Sequence, residues 1–501
     1  MAKYKRYDLC QSMLIPVFFE EQMIPGTLEF AIHTLVETRM DMSIFDNNYH
    51  NDQTGRSAYD PKILLKVVLF AYSRGLISSR RIERACRENV IFMALSGNQR
   101  PDHSTIATFV SSMKEEILPL FRDILLVCEQ EHLLGGTFFA LDGLKLPGNA
   151  SKRWSGTLSD IRKKKEKIEQ KVKRLLEEQI SADKEEHDGI FDPFSRQKQI
   201  EKLQNQAERI EKWLAENDAK IGSNGRELQS NVTDNESAKM MTSHGTIQGY
   251  NAQALVDKEH QVIMHAEAFG RGQDNQNLAP MVDAAKENLE KIGQTEDYFE
   301  DKIFTADTNY HNQSTLEKCQ EEKLDAYIPD LKFRTRDRRF ATQDRYQPKK
   351  GKKFVLQDFK YDEAKDCYIC PNGKMLKLRV KQHIRDRNIY RQYMADEKDC
   401  KQCSLKRRCF YRKNTKRRSL NVPIGAERNN FSKAMLEKVD SDKGRKIYPQ
   451  RMAIVEPVFA NIRTQKRMDR FTLRGKIKVS IQWMLYCMVH NIEKITNYAT
   501  A

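Results

Sequence analysis

Apolar and polar positions alternate with a helical period over most of the first 130 residues. Ile63, Leu64, Val67, Val68, Leu69 and Phe70 predict a buried helix over 61–72. Asp60 is placed as its N-cap, Pro61 at its first helical position, and Gly75 ends it. A second helix, Ser79–Glu88, carries Arg80, Arg81, Arg84 and Arg87, and a third starts near Ser104. Short helices with one arginine-rich member suggest a helix-turn-helix-like unit. The pattern then changes. Phe138-Phe-Ala-Leu-Asp142-Gly-Leu-Lys-Leu146 reads as a buried strand, and residues 157–221 as a charged helical hairpin interrupted at Asp192-Pro-Phe194. Strands follow at 248–256 and 261–269, a helix at 275–291, a strand at 302–307, a helix at 313–321 and a strand at 326–329. This succession predicts an α/β fold with a mixed sheet flanked by helices. Residues 331–440 are basic and irregular, with strand-like pieces at 353–356 and 388–394, and residues 446–497 are helical again.

A chain of 501 residues accommodates several domains. The expected division is an N-terminal helical DNA-binding domain (1–130), the first part of an α/β core (131–334, with the hairpin 157–221 inserted), a basic cysteine-containing insertion (335–440) and the closing core helices (441–501). The formal charge of +16 is unevenly spread: residues 401–420 hold nine Lys/Arg and no acid. Such blocks release counterions from phosphates, so a nucleic acid is the expected partner. No secretory signal is visible and the longest apolar runs, 63–70 and 481–489, are too short to span a bilayer, so a soluble cytoplasmic protein is expected. No P-loop or dinucleotide fingerprint appears, which argues against an ATP-driven mechanism.

Three acids stand out. Asp142 and Asp307 each close a short apolar run, so a buried strand delivers each to its C-terminal end. Glu456 lies in Tyr448-Pro-Gln-Arg451-Met-Ala-Ile-Val-Glu456-Pro-Val-Phe-Ala-Asn-Ile-Arg463, toward the polar edge of a helix whose apolar stripe is Ile454, Val455, Val458, Phe459 and Ile462. Carboxylates from several elements, converging in a basic chain, suit Mg²⁺-dependent phosphodiester chemistry. Asp234, Asp257, Asp274 and Asp301 are competing acids that residue pattern alone does not exclude.

Ala140-Leu-Asp142-Gly, Gly249-Tyr-Asn-Ala-Gln253, Thr305-Ala-Asp307-Thr-Asn-Tyr310 and Tyr448-x2-Arg451-x4-Glu456-x6-Arg463 resemble the motifs of bacterial insertion-sequence transposases of the DDE class, as do Tyr59-Asp-Pro61 and Asp102-His-Ser-Thr-Ile106. The resemblance runs over nearly the whole chain. It implies an RNase H-like core; Asp142, Asp307 and Glu456 as catalytic ligands of two Mg²⁺ (or Mn²⁺) ions; and Tyr448, Arg451 and Arg463 as phosphate contacts. It further implies cleavage at terminal inverted repeats, strand transfer into target DNA, and action as a homodimer on double-stranded DNA associated with the nucleoid. Two departures stand out: four residues rather than three separate Arg451 from Glu456, and the motif ends in Arg463 rather than Lys. A DNA-binding repressor or structural protein derived from such an enzyme, with silent chemistry, is the alternative.

The insertion holds Cys367-x2-Cys370 and Cys400-x2-Cys403-x5-Cys409. Paired thiols at this spacing suit a structural zinc ion or an iron–sulfur cluster. Cys370, Cys400, Cys403 and Cys409 are the chosen four, with Cys367 as the alternative.

Overall fold

The computed structural model describes residues 16–49, 57–184, 193–222, 225–243, 245–346, 353–385, 388–412, 414–423 and 431–499. Asp192, expected to interrupt the helical hairpin, lies outside them. The N-terminal region is helical: α1 (Leu28–Thr38), α2 (Pro61–Ser73), α3 (Ser79–Glu88), α4 (Val90–Leu95), α5 (His103–Ser112) and α6 (Ile117–Gln130). The Asp60 carboxylate accepts from Lys62 N at 2.8 Å, and Asp102 caps α5 through Ser104 N and Thr105 N. The two motifs meet, since the Tyr59 hydroxyl donates to the Arg100 carbonyl at 3.1 Å. On α3 the apolar Ile82 and Cys86 face inward, while Arg80, Arg81, Arg84 and Arg87 are exposed.

The central sheet begins with β1 (Phe138–Pro147). A small ribbon of β2 (Ser155–Gly156) and β3 (Ser230–Asn231) forms the base of the long hairpin α7 (Leu158–Lys184) and α8 (Pro193–Glu216). The hairpin is held by a small cluster of Ile161, Ile210, Trp213 and Val232, with Trp154 packed against it; its remaining surface is charged. Then come β4 (Ala238–Thr242), β5 (Gly245–Asp257), β6 (Ile263–Phe269), α9 (Leu278–Lys291), β7 (Ile303–Ala306), α10 (Gln313–Glu321) and β8 (Asp325–Tyr327). β5 pairs antiparallel with β1 on one edge, and with both β4 and β6 on the other. β1, β7 and β8 run parallel. The sheet is therefore mixed, as expected. Its inner strands are apolar runs rather than alternating ones because helices cover the sheet.

After a short α11 (Phe333–Arg336), a second antiparallel sheet is built from β9 (Lys360–Asp362), β10 (Cys367–Ile369), β11 (Met375–Arg385), β12 (Asn388–Ala395) and β13 (Ser419–Pro423), with α12 (Glu397–Lys401) and α13 (Lys406–Cys409) against it. Phe354, Phe359, Leu376, Tyr393 and Phe410 form its own small core. Residues 353–355, expected to be strand-like, have no ladder partner; they lead into a 3-10 turn at Leu356–Asp358. The chain closes with α14 (Phe431–Asp440), α15 (Asp442–Ile447), α16 (Gln450–Ala460) and α17 (Lys476–Tyr498). α17 is buried on nearly every side, packing against β6 and against α1, α2, α5 and α6. Tyr486 on α17 stacks on Tyr72 of α2 with ring centroids 4.5 Å apart.

Pro457 sits inside α16 and cannot donate to the Ala453 carbonyl. Gln261 Nε2 supplies the missing bond to that oxygen at 3.0 Å. A π turn, Asn461–Gln465, follows α16 directly.

Candidate active site

β1 and β7 set the first two acids side by side. Leu141 pairs with Ala306 in the parallel ladder, so Asp142 and Asp307 each occupy the next position on adjacent strands. Asp307 leaves the sheet as N-cap of a 3-10 turn, Thr308–Tyr310, accepting from Thr308 N at 2.6 Å. Asp142 stays in the ladder opposite Ala254, and Gly143 N–H donates to it at 2.8 Å. Burial raises the Asp142 carboxyl above the usual carboxylate range, and the Asp307 charge adds to the rise. Arg451 opposes both: its Nη1 lies 2.5 Å from Asp142 Oδ2.

Arg451 sits at the start of α16, with its side chain only 11% exposed. Its Nε is buried and has no hydrogen-bond partner among the described residues. Tyr448, largely buried against Phe333, faces the same guanidinium; burial raises its phenol, with Asp307 nearby adding to the effect. Tyr448, Arg451, Asp142 and Asp307 thus form one group. A cavity of about 560 Å³ opens beside it, lined by Lys145, Asp274, Thr308, Asn309, His311 and Lys332 among others.

Glu456 and Arg463 are placed differently. Ile454, Val455, Val458 and Ile462 are buried as the stripe requires, and Glu456 is exposed. Five helical residues turn its side chain about 140° from that of Arg451. Arg463, on the π turn, is exposed and about 18 Å along the helix from Arg451 at 1.5 Å per residue. Among the described residues no group of three or more His, Cys, Asp or Glu side chains is already set to hold a metal ion. The Asp142–Asp307 pair nevertheless fits a hard cation. It offers only oxygen donors, and a cation would relieve the repulsion that Arg451 and the Gly143 N–H now offset.

Cys370, Cys400, Cys403 and Cys409 line one small pocket under Leu376 and Phe410. Lys374 N–H donates to Cys370 Sγ at 3.3 Å across the turn Pro371-Asn-Gly373, where Gly373 has φ +72°. Burial first, then the neighbouring thiols, push the Cys400 thiol up, and Cys409 is raised by burial in the same pocket. Cys367 is buried in β10 opposite Asp362 and Lys377, away from the other four.

A family described as transposase DDE domain matches residues 369–496, and one described as transposase domain (DUF772) matches residues 18–112. The two matches together support an insertion-sequence transposase of the DDE class. No curated protein and no solved structure matches it. The matched stretches take in the arginine-rich α3, the thiol pocket and the Tyr448–Arg463 segment, but neither Asp142 nor Asp307. Those two acids are brought together by the β1–β7 register. No helix among the described residues is long and apolar enough to cross a membrane.

Asp274, which the sequence offers only as a competing acid, is brought by the fold to the cavity wall and buried there. Its loop has no apolar period to mark it. The only available signal was an acid lying shortly after two strands that carry a family motif. The two histidines beside motifs are structural. His311 bridges the Ile328 carbonyl and Ser432 Oγ, and His103 meets Glu83 at 2.8 Å.

Proposed function

We propose that this transposase cuts phosphodiester bonds at the inverted-repeat ends of a mobile element and joins the freed 3′ ends to target DNA. Asp142, Asp307 and Glu456 would hold two Mg²⁺ ions, or Mn²⁺ in their place. The observation that carries this reading is the Asp142–Asp307 pair, set side by side where the parallel ladder of β1 and β7 ends, beneath a buried arginine with a free Nε. The strand order β6-β5-β1-β7-β8, with the first three strands antiparallel and the rest parallel to β1, supports an RNase H-like core.

The residues divide the work. Asp142 and Asp307 supply the fixed half of the cation site. Arg451 neutralises Asp142 while no cation is bound; once it is released, its fork suits a DNA phosphate. Tyr448 is placed to share that phosphate. Bound Mg²⁺ would supply charge neutralisation and Lewis acidity at the scissile phosphate. Glu456 is exposed, five residues on from Arg451, so this reading requires its side chain to swing toward the pair as Arg451 leaves Asp142. Pro457 and the π turn make that helix irregular directly after Glu456. Arg463 then contacts the DNA backbone about two turns further on.

In the same reading, residues 1–130 recognise the end repeats, with exposed Arg80, Arg81, Arg84 and Arg87 available to the duplex. Residues 131–334 and 441–501 form the core, and the basic insertion 335–440 tracks the DNA backbone. Two protomers hold two ends as a homodimer, within the bacterial cytoplasm at the nucleoid. The four pocket thiols close on a structural zinc ion or iron–sulfur cluster, which stabilises the small second sheet. Metal analysis and the visible spectrum of purified protein separate zinc, cluster and bare thiols, and bare thiols in folded protein refute that part.

The test is nicking of DNA bearing the element's own ends. Wild type is expected to nick with Mg²⁺, and Asp142→Asn, Asp307→Asn and Glu456→Gln to lose nicking while still binding. Undiminished nicking in all three overturns the site. Tight binding by wild type with no nicking in Mg²⁺ or Mn²⁺ makes the chain a silent DNA-binding relative.

A further inference from the structure

We infer that Asp274 is a positioning residue for the Asp142–Asp307 pair, acting through a buried amide network; this rests on the carboxylate reading above. Asp274 lies in the loop after β6 and is 7% exposed. Asn251 Nδ2 donates to its Oδ1 at 2.6 Å, and Gln253 Nε2 donates to the same oxygen at 3.0 Å. Gln253 Nε2 also donates to Asn251 Oδ1 at 3.0 Å, and the Tyr310 hydroxyl donates to Gln253 Oε1. Asn309 Nδ2 reaches Asp274 Oδ2 and Asp307 Oδ2, both at 3.4 Å. One amide therefore lies between the two acids.

The network also underlies Asp142. Gln253 and Asn251 stand on β5 opposite Gly143 and Lys145 of β1. Their amides cross the space that a side chain at 143 would fill: a Cβ there would come within 2.0 Å of Gln253 Nε2 and 2.5 Å of Asn251 Oδ1. The glycine after Asp142, the Asn and Gln of Gly249-Tyr-Asn-Ala-Gln253, and the Asn and Tyr of Asp307-Thr-Asn-Tyr310 are thus one hydrogen-bonded unit with Asp274 at its centre.

Every donor in that unit fits a carboxylate at its centre. Asn251, Gln253 and Asn309 all point N–H groups at Asp274. An amide at 274 would present N–H to N–H unless a neighbour turned over. Turning Gln253 over would break its bond with Tyr310, and turning Asn251 over would break its bond with Gln253. The charge on Asp274 sets the tautomer-like choice of every amide around it and, through Asn309, the direction of the Asp307 carboxylate. No cation neutralises Asp274 among its hydrogen-bond partners, so its negative charge also adds to the field that draws a divalent ion to the pair.

The experiment measures Mn²⁺ binding to the full chain without DNA, by loss of the free-ion electron paramagnetic resonance signal. Mg²⁺ titration of end nicking runs alongside. Asp274→Asn and Asn309→Ala are each expected to weaken Mn²⁺ binding about tenfold or more, with a matching shift in the Mg²⁺ required. End-DNA affinity in EDTA should be unchanged. Because both substitutions cut the same path, the double variant should be no worse than the weaker single. Asn309 is exposed, so its variant remains informative even where Asp274→Asn fails to fold. Wild-type Mn²⁺ binding by Asn309→Ala, or effects that multiply in the double variant, overturn the inference. If Asp142→Asn also leaves Mn²⁺ binding intact, the carboxylate site itself is wrong.

Discussion

Replacing Arg451 with Ala tests whether the Asp142 pair is held by charge. The pair is mostly buried, with the arginine 11% and the aspartate 24% exposed. Breaking a fully buried pair costs about 3–5 kcal/mol, and the exposed quarter of Asp142 brings that to about 2 kcal/mol. The cost depends on pH in a defined direction. Burial already holds the folded Asp142 carboxyl above its ordinary 3.8, and loss of Arg451 lifts it further. Above the unfolded pKa the folded state then keeps more protons than the unfolded one, so stability falls as pH rises. The variant should therefore lie closest to wild type in acid and be least stable at about pH 8. Amide hydrogen exchange of β1 peptides reads this locally, corrected for intrinsic rates. A loss of about 2 kcal/mol is about 30-fold faster exchange. Adding Asp142→Asn should abolish the pH dependence, because no charge is left to strand. Mg²⁺ should slow exchange more in Arg451→Ala than in wild type, because the cation no longer competes with the guanidinium. Equal exchange in variant and wild type at about pH 8, or a cost that grows toward acid, refutes the reasoning.

Gly143→Ala should abolish end nicking while leaving DNA binding in place, since its Cβ displaces Gln253 and Asn251; the strain should cost about 1–3 kcal/mol in thermal or denaturant unfolding. His265 and His490 are buried and held neutral, their pKa values lowered from 6.5 to about 4 and about 3 by burial. The unfolded chain then binds more protons below about pH 6.5, so stability should fall progressively from there toward pH 4. Replacing either histidine with a neutral residue that keeps its hydrogen bonds should flatten that acid limb in a pH series of melting curves.

Which parts were legible depended on whether a residue's role lay in local pattern or in distant contact. Asp142 and Asp307 could be found because each closes an apolar run, which is a local pattern, although β1 runs on past Asp142 to Pro147. Asp60 was readable as a cap for the same reason. The apolar stripe of α16 was also legible, and with it the exposure of Glu456. The distance of Arg463 from Arg451 follows from a helix that continues through Pro457 into a π turn, and Gln261, on a hairpin far away, supports that continuation. Spacing alone left Cys367 and Cys370 as rivals. The register of β10 separates them by burying Cys367 in the ladder. Asp274 had no pattern to betray it, because its partners come from β5 and from the turn after β7.

One further consequence concerns the order of synthesis. α17 forms part of the apolar centre against which α1, α2, α5 and α6 pack, with Tyr486 seated on Tyr72, and the same helix lies on β6. Chains usually consolidate from the N-terminal side as they leave the ribosome. Here the leading helices emerge long before the helix that completes their interior, and until then they expose the apolar faces of α2 and α6 to water. A ribosome that stops short of α17 releases a chain whose N-terminal helices and whose sheet both lack their shared packing partner. Quality control can then recognise it by that uncovered apolar surface.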